Sequence, residues 1–311
     1  MRRVLSDPVD DARRDIEPEM DVGIFSPGYR LPAVIRLGQV WLQVSGLARS
    51  LAYYQSVLGL HLIERDAVSA VLGTIDGQTP LLRLTERNGA RSMAQQGRLG
   101  LYHFAILLPD RPSLARFSLH LAEIGARAGA SDHLVSEALY LRDPDGLGIE
   151  VYADRPRSTW RAVDRQLAMA TDPLDFEDLI TAAGSDRWHG MPAGTTMGHV
   201  HLHVGALDEA AAFYHAALGL DKMVWSYPSA LFLAAGGYHH HLGLNTWAGA
   251  NAARPTDADA RLMEWRIILP SVEDARAAAE SLRASGHAVR EDGDAFIASD
   301  PWDTSVRLVT V

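Results

Sequence analysis

The chain carries the stretch GHVHLHV at residues 198–204, and a related stretch, GQVWLQV, stands 160 positions earlier at residues 38–44. A second related pair, HFAILLP at 103–109 and EWRIILP at 264–270, is separated by 161 positions. Each stretch has the apolar pattern of a β-strand and is followed by a helical pattern. The chain is therefore predicted to consist of four related units of roughly 50 residues each.

Each unit is predicted to contain a strand, a helix and three more strands. A single βαβββ unit cannot close a hydrophobic core, so the units must pair. The sequence therefore predicts an α+β fold in which four βαβββ units form two half-barrels. The expected boundaries are an N-terminal arm at 1–32, a first domain with units one and two at 33–153, a connector at 154–196, and a second domain with units three and four at 197–311.

Composition narrows the classes of function. The net charge of −10 disfavours a nucleic-acid partner, and no run of about 18 apolar residues predicts a membrane span. The chain has no cysteine, which excludes disulfides and thiolate ligands and favours a cytoplasmic location. Thirteen histidines are unusual for a chain of 311 residues, and several fall in predicted strands.

The repeats differ where a metal could be held. The equivalent positions of the four first strands hold Gln39, His103, His199 and Glu264, and those of two last strands hold Glu150 and Arg307. Arg307 would place a cation among units one and four, so only His103, Glu150 and His199 form a complete ligand set. Two histidines and one carboxylate form the facial triad of non-haem Fe(II) enzymes, which leaves positions open for substrate and O₂. A single strand histidine is more often a packing residue, but Glu150 would be costly to bury unpaired.

Other polar residues could belong to the same cavity. The run Tyr238-His239-His240-His241 is predicted to be a strand, in which His240 points away from its two neighbours. One of these imidazoles could act as an acid or base, and an exposed polar strand is the alternative. Tyr140 is expected on the strand beside Glu150, where it could donate a proton or simply pack. Asn245 and Trp247 could line the pocket or belong to the core.

These stretches resemble the vicinal oxygen chelate superfamily, and within it the bacterial two-domain extradiol dioxygenases of the catechol-2,3-dioxygenase type. The likeness begins at about residue 36 and is carried by residues 100–109, 136–156, 198–204 and 236–241. The resemblance implies His103, His199 and Glu150 as metal ligands, His240 as the catalytic histidine, Tyr140 as the active-site tyrosine, and His133, at an imperfect spacing, as a further site histidine.

The order of the site residues is reversed relative to the better-known extradiol enzymes. The half with His103, Tyr140 and Glu150 comes first here, so unit two is expected to pair with unit three and unit one with unit four. If units one and two paired instead, Gln39 would join His103 and Glu150 in a weaker site. A third arrangement pairs units two and three between the subunits of a homo-oligomer.

The resemblance implies a metal-dependent enzyme that opens the ring of a catechol, or a substituted catechol, beside its hydroxyl groups (proximal, 2,3-cleavage). Its partners would be a small aromatic diol and O₂, and its metal Fe(II) or Mn(II). Two alternatives stay open. A non-redox divalent-metal enzyme of the glyoxalase or isomerase type would need a second carboxylate, and none is evident. A non-catalytic ligand-binding protein of the same fold would not need the ligand set.

Overall fold

A computed structural model of the chain describes residues 22–93 and 97–310. Its strands β1–β19 are Arg36–Leu37, Val40–Val44, His61–Arg65, Ser69–Gly73, Pro80–Glu86, Gly100–Leu107, Gly129–Asp132, Ser136–Arg142, Gly148–Asp154, Ala162–Val163, Gln166–Leu167, Thr196–His203, Asp221–Val224, Ala230–Ala234, Leu242–Asn245, Arg261–Leu269, Val289–Asp292, Ala295–Ser299 and Ser305–Thr310. Its helices α1–α5 are Leu47–Ser56, Arg111–Glu123, Phe176–Thr181, Leu207–Ala211 and Val272–Ala284. A π-helical segment, Ala212–Ala217, continues α4, and Arg157–Thr159 forms a 3₁₀ turn.

The helices form where apolar residues recur every three or four positions. The buried residues of α1 include Leu47, Leu51 and Tyr54, whose spacing of three or four positions is typical of a helix that packs on a core. Asp110 caps α2 by accepting a hydrogen bond from the backbone N–H of Ser113 at 2.8 Å, which satisfies one of the donors that a helix start leaves unpaired. These local signals fix which side of each helix covers the sheet.

The strands repeat one pattern four times. In every unit the first and last strands lie side by side and parallel, as β2 with β5, β6 with β9, β12 with β15, and β16 with β19. The predicted α+β fold of repeated βαβββ units is confirmed. The first strands of units two and three, β6 and β12, pair antiparallel, and so do those of units one and four, β2 and β16. These strand contacts place unit two beside unit three and unit one beside unit four, while the division into two half-barrels stays a prediction.

Two buried tyrosine–aspartate contacts join unit one to unit two and unit three to unit four. Tyr54 of unit one donates a hydrogen bond to Asp143 Oδ2 of unit two at 3.1 Å, and Tyr214 of unit three donates to Asp300 Oδ2 of unit four at 3.0 Å. Burial raises the pKa of Asp143 and of Asp300 to about 6. Unit one is thereby connected to the turn before β9 of unit two, and unit three to the turn before β19 of unit four.

The segments outside the repeats also pack on the fold. Residues 1–21 of the predicted N-terminal arm lie outside the described residues, whereas residues 22–32 contact unit three. There the carboxylate of Asp221 binds Arg30 Nη2 at 2.6 Å, and Leu31 is buried. The connector contains the short helix α3, Phe176–Thr181. In the described ranges, no helix has the length and apolar character needed to cross a membrane.

Candidate metal centre

The strand pair β6–β12 brings three ligand atoms together. His103 Nε2 lies 3.0 Å from Glu150 Oε2, and His199 Nε2 lies 3.1 Å from the same oxygen. The two imidazole nitrogens are 3.3 Å apart. His103 comes from β6, His199 from β12, and Glu150 from β9, the parallel neighbour of β6. The three candidate ligands predicted from the repeat comparison therefore meet at one point.

The geometry of the three atoms fits a divalent metal. With metal–ligand bonds of about 2.1 Å, adjacent corners of an octahedron lie about 3.0 Å apart. The observed separations of 3.0, 3.1 and 3.3 Å are those of three mutually adjacent corners, that is, of one octahedral face. Such a set leaves the opposite face open to other ligands.

The charge of the cluster also suits a cation. Burial lowers the pKa of both His103 and His199, so both imidazoles are neutral near pH 7, as metal ligands must be. Burial alone would raise the pKa of the Glu150 carboxyl, but its interactions with His199 and His103 outweigh burial and hold that pKa well below its usual range. The cluster thus carries one negative charge inside the protein.

A cavity of about 370 Å³ opens onto the three ligands, which is within the size range of sites for small molecules. Its walls are largely aromatic. The lining residues other than the three ligands are Tyr102, Ser131, His133, Tyr140, Met169, Ala170, Thr171, His201, Tyr227, Phe232, His240 and Trp247. The predicted residues His133, Tyr140, His240 and Trp247 are therefore all found in the cavity wall.

The histidine run does not form the strand expected from the sequence. Gly236 and Gly237 both adopt positive φ in a turn, and β15 begins only at Leu242. A Cβ on Gly236 would lie 2.3 Å from a backbone oxygen, so this turn requires glycine. As a result His239 and His240 do not point to opposite faces, and their Nδ1 atoms are 2.7 Å apart.

Hydrogen bonds set the proton positions on His240. Asp154 Oδ1 lies 2.9 Å from His239 Nε2 and can only accept, so Nε2 carries a proton. In the neutral His239 ring this is the only nitrogen-bound proton, so His239 Nδ1 accepts a hydrogen bond from the N–H at His240 Nδ1. His240 Nε2 then has no proton and keeps its lone pair. Burial lowers the pKa of His240 well below its usual value, so the ring is neutral. The His240 and His199 ring centroids are 4.0 Å apart, which places this neutral base beside the ligand cluster.

A second hydrogen-bond chain runs through Tyr140. His133 Nδ1 donates to the Ala170 carbonyl oxygen at 2.6 Å, so its Nε2 is free to accept from the Tyr140 hydroxyl at 2.5 Å. Tyr140 stands opposite Glu150 in the β8–β9 register. Burial raises the pKa of Tyr140 well above 10, so the hydroxyl keeps its proton.

Asn245 lies behind the cavity wall rather than in it. It is fully buried and hydrogen-bonds to His201 and His203. Sequence reasoning missed His201 as a lining residue. Its spacing of two from His199 on one strand was the available signal, since alternate residues of a strand share a face.

Units one and four hold an ion pair at the equivalent place. Glu264 Oε1 accepts from Arg307 Nε at 2.8 Å and from Arg266 Nε at 3.2 Å. In the part of the chain that the structure describes, His103, Glu150 and His199 form the one group of His, Cys, Asp or Glu side chains with metal-site spacing. The repeat thus holds one candidate metal centre and one position at which an arginine supplies the positive charge.

Comparison with known proteins agrees with this architecture. The family model of the glyoxalase/bleomycin resistance protein/dioxygenase superfamily matches residues 36–151 and 196–299. A catechol-2,3-dioxygenase of Bacillus subtilis (strain 168) is 45% identical over 270 residues, which are 85% of this chain and 93% of that protein.

Two solved structures share the fold. A candidate dioxygenase from Bacillus subtilis superposes with a TM-score of 0.62 at 14% identity, over 91% of this chain and 86% of that one. Maize glyoxalase I superposes with a TM-score of 0.53 at 19% identity, over 89% of this chain and 92% of that one. The repeated units, the family match and the identity to a curated relative lead to one conclusion: the chain belongs to the glyoxalase/bleomycin resistance protein/dioxygenase superfamily, also called the vicinal oxygen chelate superfamily.

Proposed function

We propose that this protein is an extradiol dioxygenase that cleaves the ring of catechol, or of a substituted catechol, with O₂. One observation carries the proposal: a 2-His-1-carboxylate face, a neutral histidine base and a protonated tyrosine converge on one aromatic cavity. The Bacillus subtilis relative, a catechol-2,3-dioxygenase that is 45% identical to this chain, supports the same activity.

His103, Glu150 and His199 would hold the metal. The ligand set suits Fe(II), with Mn(II) as the other fitting ion. When bound, the metal would act as a Lewis acid toward the diol and offer O₂ a position beside it. The aromatic walls of the cavity lie beside these three ligands and would surround a bound diol.

His240 and Tyr140 would handle the protons of the diol. The diol has to give up a hydroxyl proton, and His240 Nε2 would take it, because the His240 ring centroid lies 4.0 Å from that of His199. Asp154, acting through His239, keeps that lone pair available by holding the proton of the His240 ring on Nδ1. The Tyr140 hydroxyl gives its one proton to His133 Nε2, so its oxygen would accept a hydrogen bond from a hydroxyl group of the diol.

The cavity offers little to a non-redox enzyme of the glyoxalase or isomerase type. Among the described residues that line it, Glu150 is the one carboxylate, and it belongs to the ligand cluster. No second carboxylate is left among these residues to act as the base that enzymes of this type often carry, which makes this alternative the weaker proposal.

The test is anaerobic loading with Fe(II), elemental analysis, and an oxygen-electrode trace on addition of catechol. We expect a single iron per chain, uptake of O₂ and a yellow ring-opened product. Glu150→Ala and His199→Ala should lose both iron and turnover, whereas His240→Phe should keep iron and lose most turnover. His61→Ala, an exposed histidine outside the cluster, serves as the matched control and should behave as the wild type. Full activity in metal-free Glu150→Ala would refute the proposal.

A further inference from the structure

We propose, resting on the dioxygenase function above, that His201 is a hydrogen-bond donor that selects catechols bearing an oxygen acceptor on a ring substituent. His201 lines the cavity and faces His103 across the β6–β12 strand pair. The two ring centroids are 5.0 Å apart, so a substituent on a ring bound at the metal centre would come within reach of His201.

The orientation of the Asn245 amide follows from its fixed neighbours. The backbone N–H of Trp247, always a donor, bonds to Asn245 Oδ1 at 3.0 Å. His203 Nδ1 lies 2.6 Å from the same oxygen and must donate to it. The amide nitrogen of Asn245 therefore faces His201 and lies 2.9 Å from His201 Nε2.

This contact fixes the tautomer of His201. An amide nitrogen only donates, so His201 Nε2 accepts and the proton of the neutral ring sits on Nδ1. Nδ1 has no hydrogen-bond partner among the described residues. The His201 ring belongs to the cavity wall, and its Nδ1 is not one of the described unpaired side-chain atoms that are shut off from solvent. The ring thus offers one unpaired N–H to a bound molecule.

The His201 ring is held in place by close packing, as a residue that discriminates between substituents has to be. A Cβ added to Gly243 would lie 2.7 Å from His201 Cγ and 2.8 Å from Nδ1, so the imidazole rests directly on this glycine. Phe232 and Trp247 pack at its edges, with ring centroids 5.6 Å away from it in each case. In such an aromatic wall an N–H without an acceptor is penalised, and a substrate oxygen placed there is preferred over a methyl group.

The test measures binding without turnover. Fe(II)-loaded protein is titrated calorimetrically, without O₂, with 3,4-dihydroxyacetophenone and with 4-isopropylcatechol, which have equal numbers of non-hydrogen atoms. The quantity of interest is the ratio of the two dissociation constants, compared between variants. His201→Phe, which keeps a planar ring but has no donor, should shift that ratio about tenfold toward the alkyl ligand. His201→Asn restores an N–H near Nδ1 and should recover part of the preference, while Met169→Leu, elsewhere in the wall, should change both affinities together.

The outcomes separate the two proposals. If the His201→Phe ratio equals that of the wild type, with equal iron content, the role of His201 is refuted and the dioxygenase function stands. If the wild type binds neither diol and takes up no O₂ with any catechol, the function and this role both fall. If His201→Phe loses iron, Gly243→Ala replaces it as the test, because the added Cβ would displace the His201 ring. A ratio of the two dissociation constants equal to that of the wild type in Gly243→Ala would then also refute the role of His201.

Discussion

Replacing Asp143 by asparagine should stabilise the protein above pH 6 and do little near pH 4. Its Oδ1 accepts from the backbone N–H groups of Asp145 and Leu147 at 2.9 and 2.8 Å, and its Oδ2 accepts from Tyr54. Burial nevertheless raises its pKa from an ordinary 3.8 to about 6. A shift of roughly 2 units corresponds to about 3 kcal/mol.

The sign follows from proton binding. The folded protein holds this proton more tightly than the unfolded chain does, so the contribution of Asp143 is fully present below about pH 4 and is lost as the pH rises through about 6. An asparagine keeps the oxygen that accepts from the backbone and has no charge to bury. The free energy of unfolding of Asp143→Asn should therefore exceed that of the wild type by up to about 3 kcal/mol at pH 7.5.

Urea unfolding followed by circular dichroism at pH 4.5, 5.5, 6.5 and 7.5 measures the difference. The matched control is Asp145→Asn, two residues on. Asp145 is also buried, but it pairs with Arg49 and accepts hydrogen bonds from Ser45, so its loss should destabilise the protein at pH 7.5 by about 1–3 kcal/mol. A difference between Asp143→Asn and the wild type that is independent of pH, or that shrinks as the pH rises, would show that burial does not control this carboxyl.

Three further predictions concern the metal centre and its surroundings. Metal at 100 times its dissociation constant should stabilise the wild type by about 2.7 kcal/mol; anaerobic calorimetry should show the corresponding rise in Tm, which Glu150→Gln loses and the control Glu264→Gln keeps. His239→Phe should leave iron content unchanged but lower kcat by at least about tenfold, because the imidazole beside it loses its fixed tautomer; unchanged kcat would exclude that positioning role. Gly198→Ala should lower the free energy of unfolding by about 1–3 kcal/mol, because its Cβ would lie 1.9 Å from Tyr152 Oη; thermal unfolding at wild-type temperature would contradict this.

The candidate metal ligands could be predicted because the repeat provides a register. His103 and His199 occupy equivalent positions in two first strands, and the antiparallel pairing of those strands sets their side chains on one face. Glu150 follows because a carboxylate inside an apolar strand needs a partner. The fold class was predictable for the same reason, since four similar strand–helix patterns cannot bury their apolar faces separately.

The remainder of the site depends on contacts that the sequence pattern does not encode. Asp154 contacts His239 across 85 positions, and the turn at Gly236 and Gly237 takes the histidine run out of the strand that was predicted for it. The position of Asn245 behind the wall depends on the parallel pairing of β12 with β15, which a linear reading does not reveal. Periodicity predicts which face a residue occupies, but it cannot predict which distant group completes its hydrogen bonds.

The two equivalent positions of the repeat differ in how the charge of a buried carboxylate is balanced, so one position can serve as a control for the other. In units one and four the buried carboxylate of Glu264 is neutralised by Arg307, which no chelator can remove. In units two and three Glu150 contacts His103 and His199, and the cation of the proposed metal centre would have to come from solution. Hydrogen exchange on one sample, with and without chelator, should therefore quicken along β6 and β12 while β2 and β16 stay unchanged. Strands β2 and β16 then serve as the control, and the difference in exchange rate gives the contribution of a bound metal to the protection of β6 and β12.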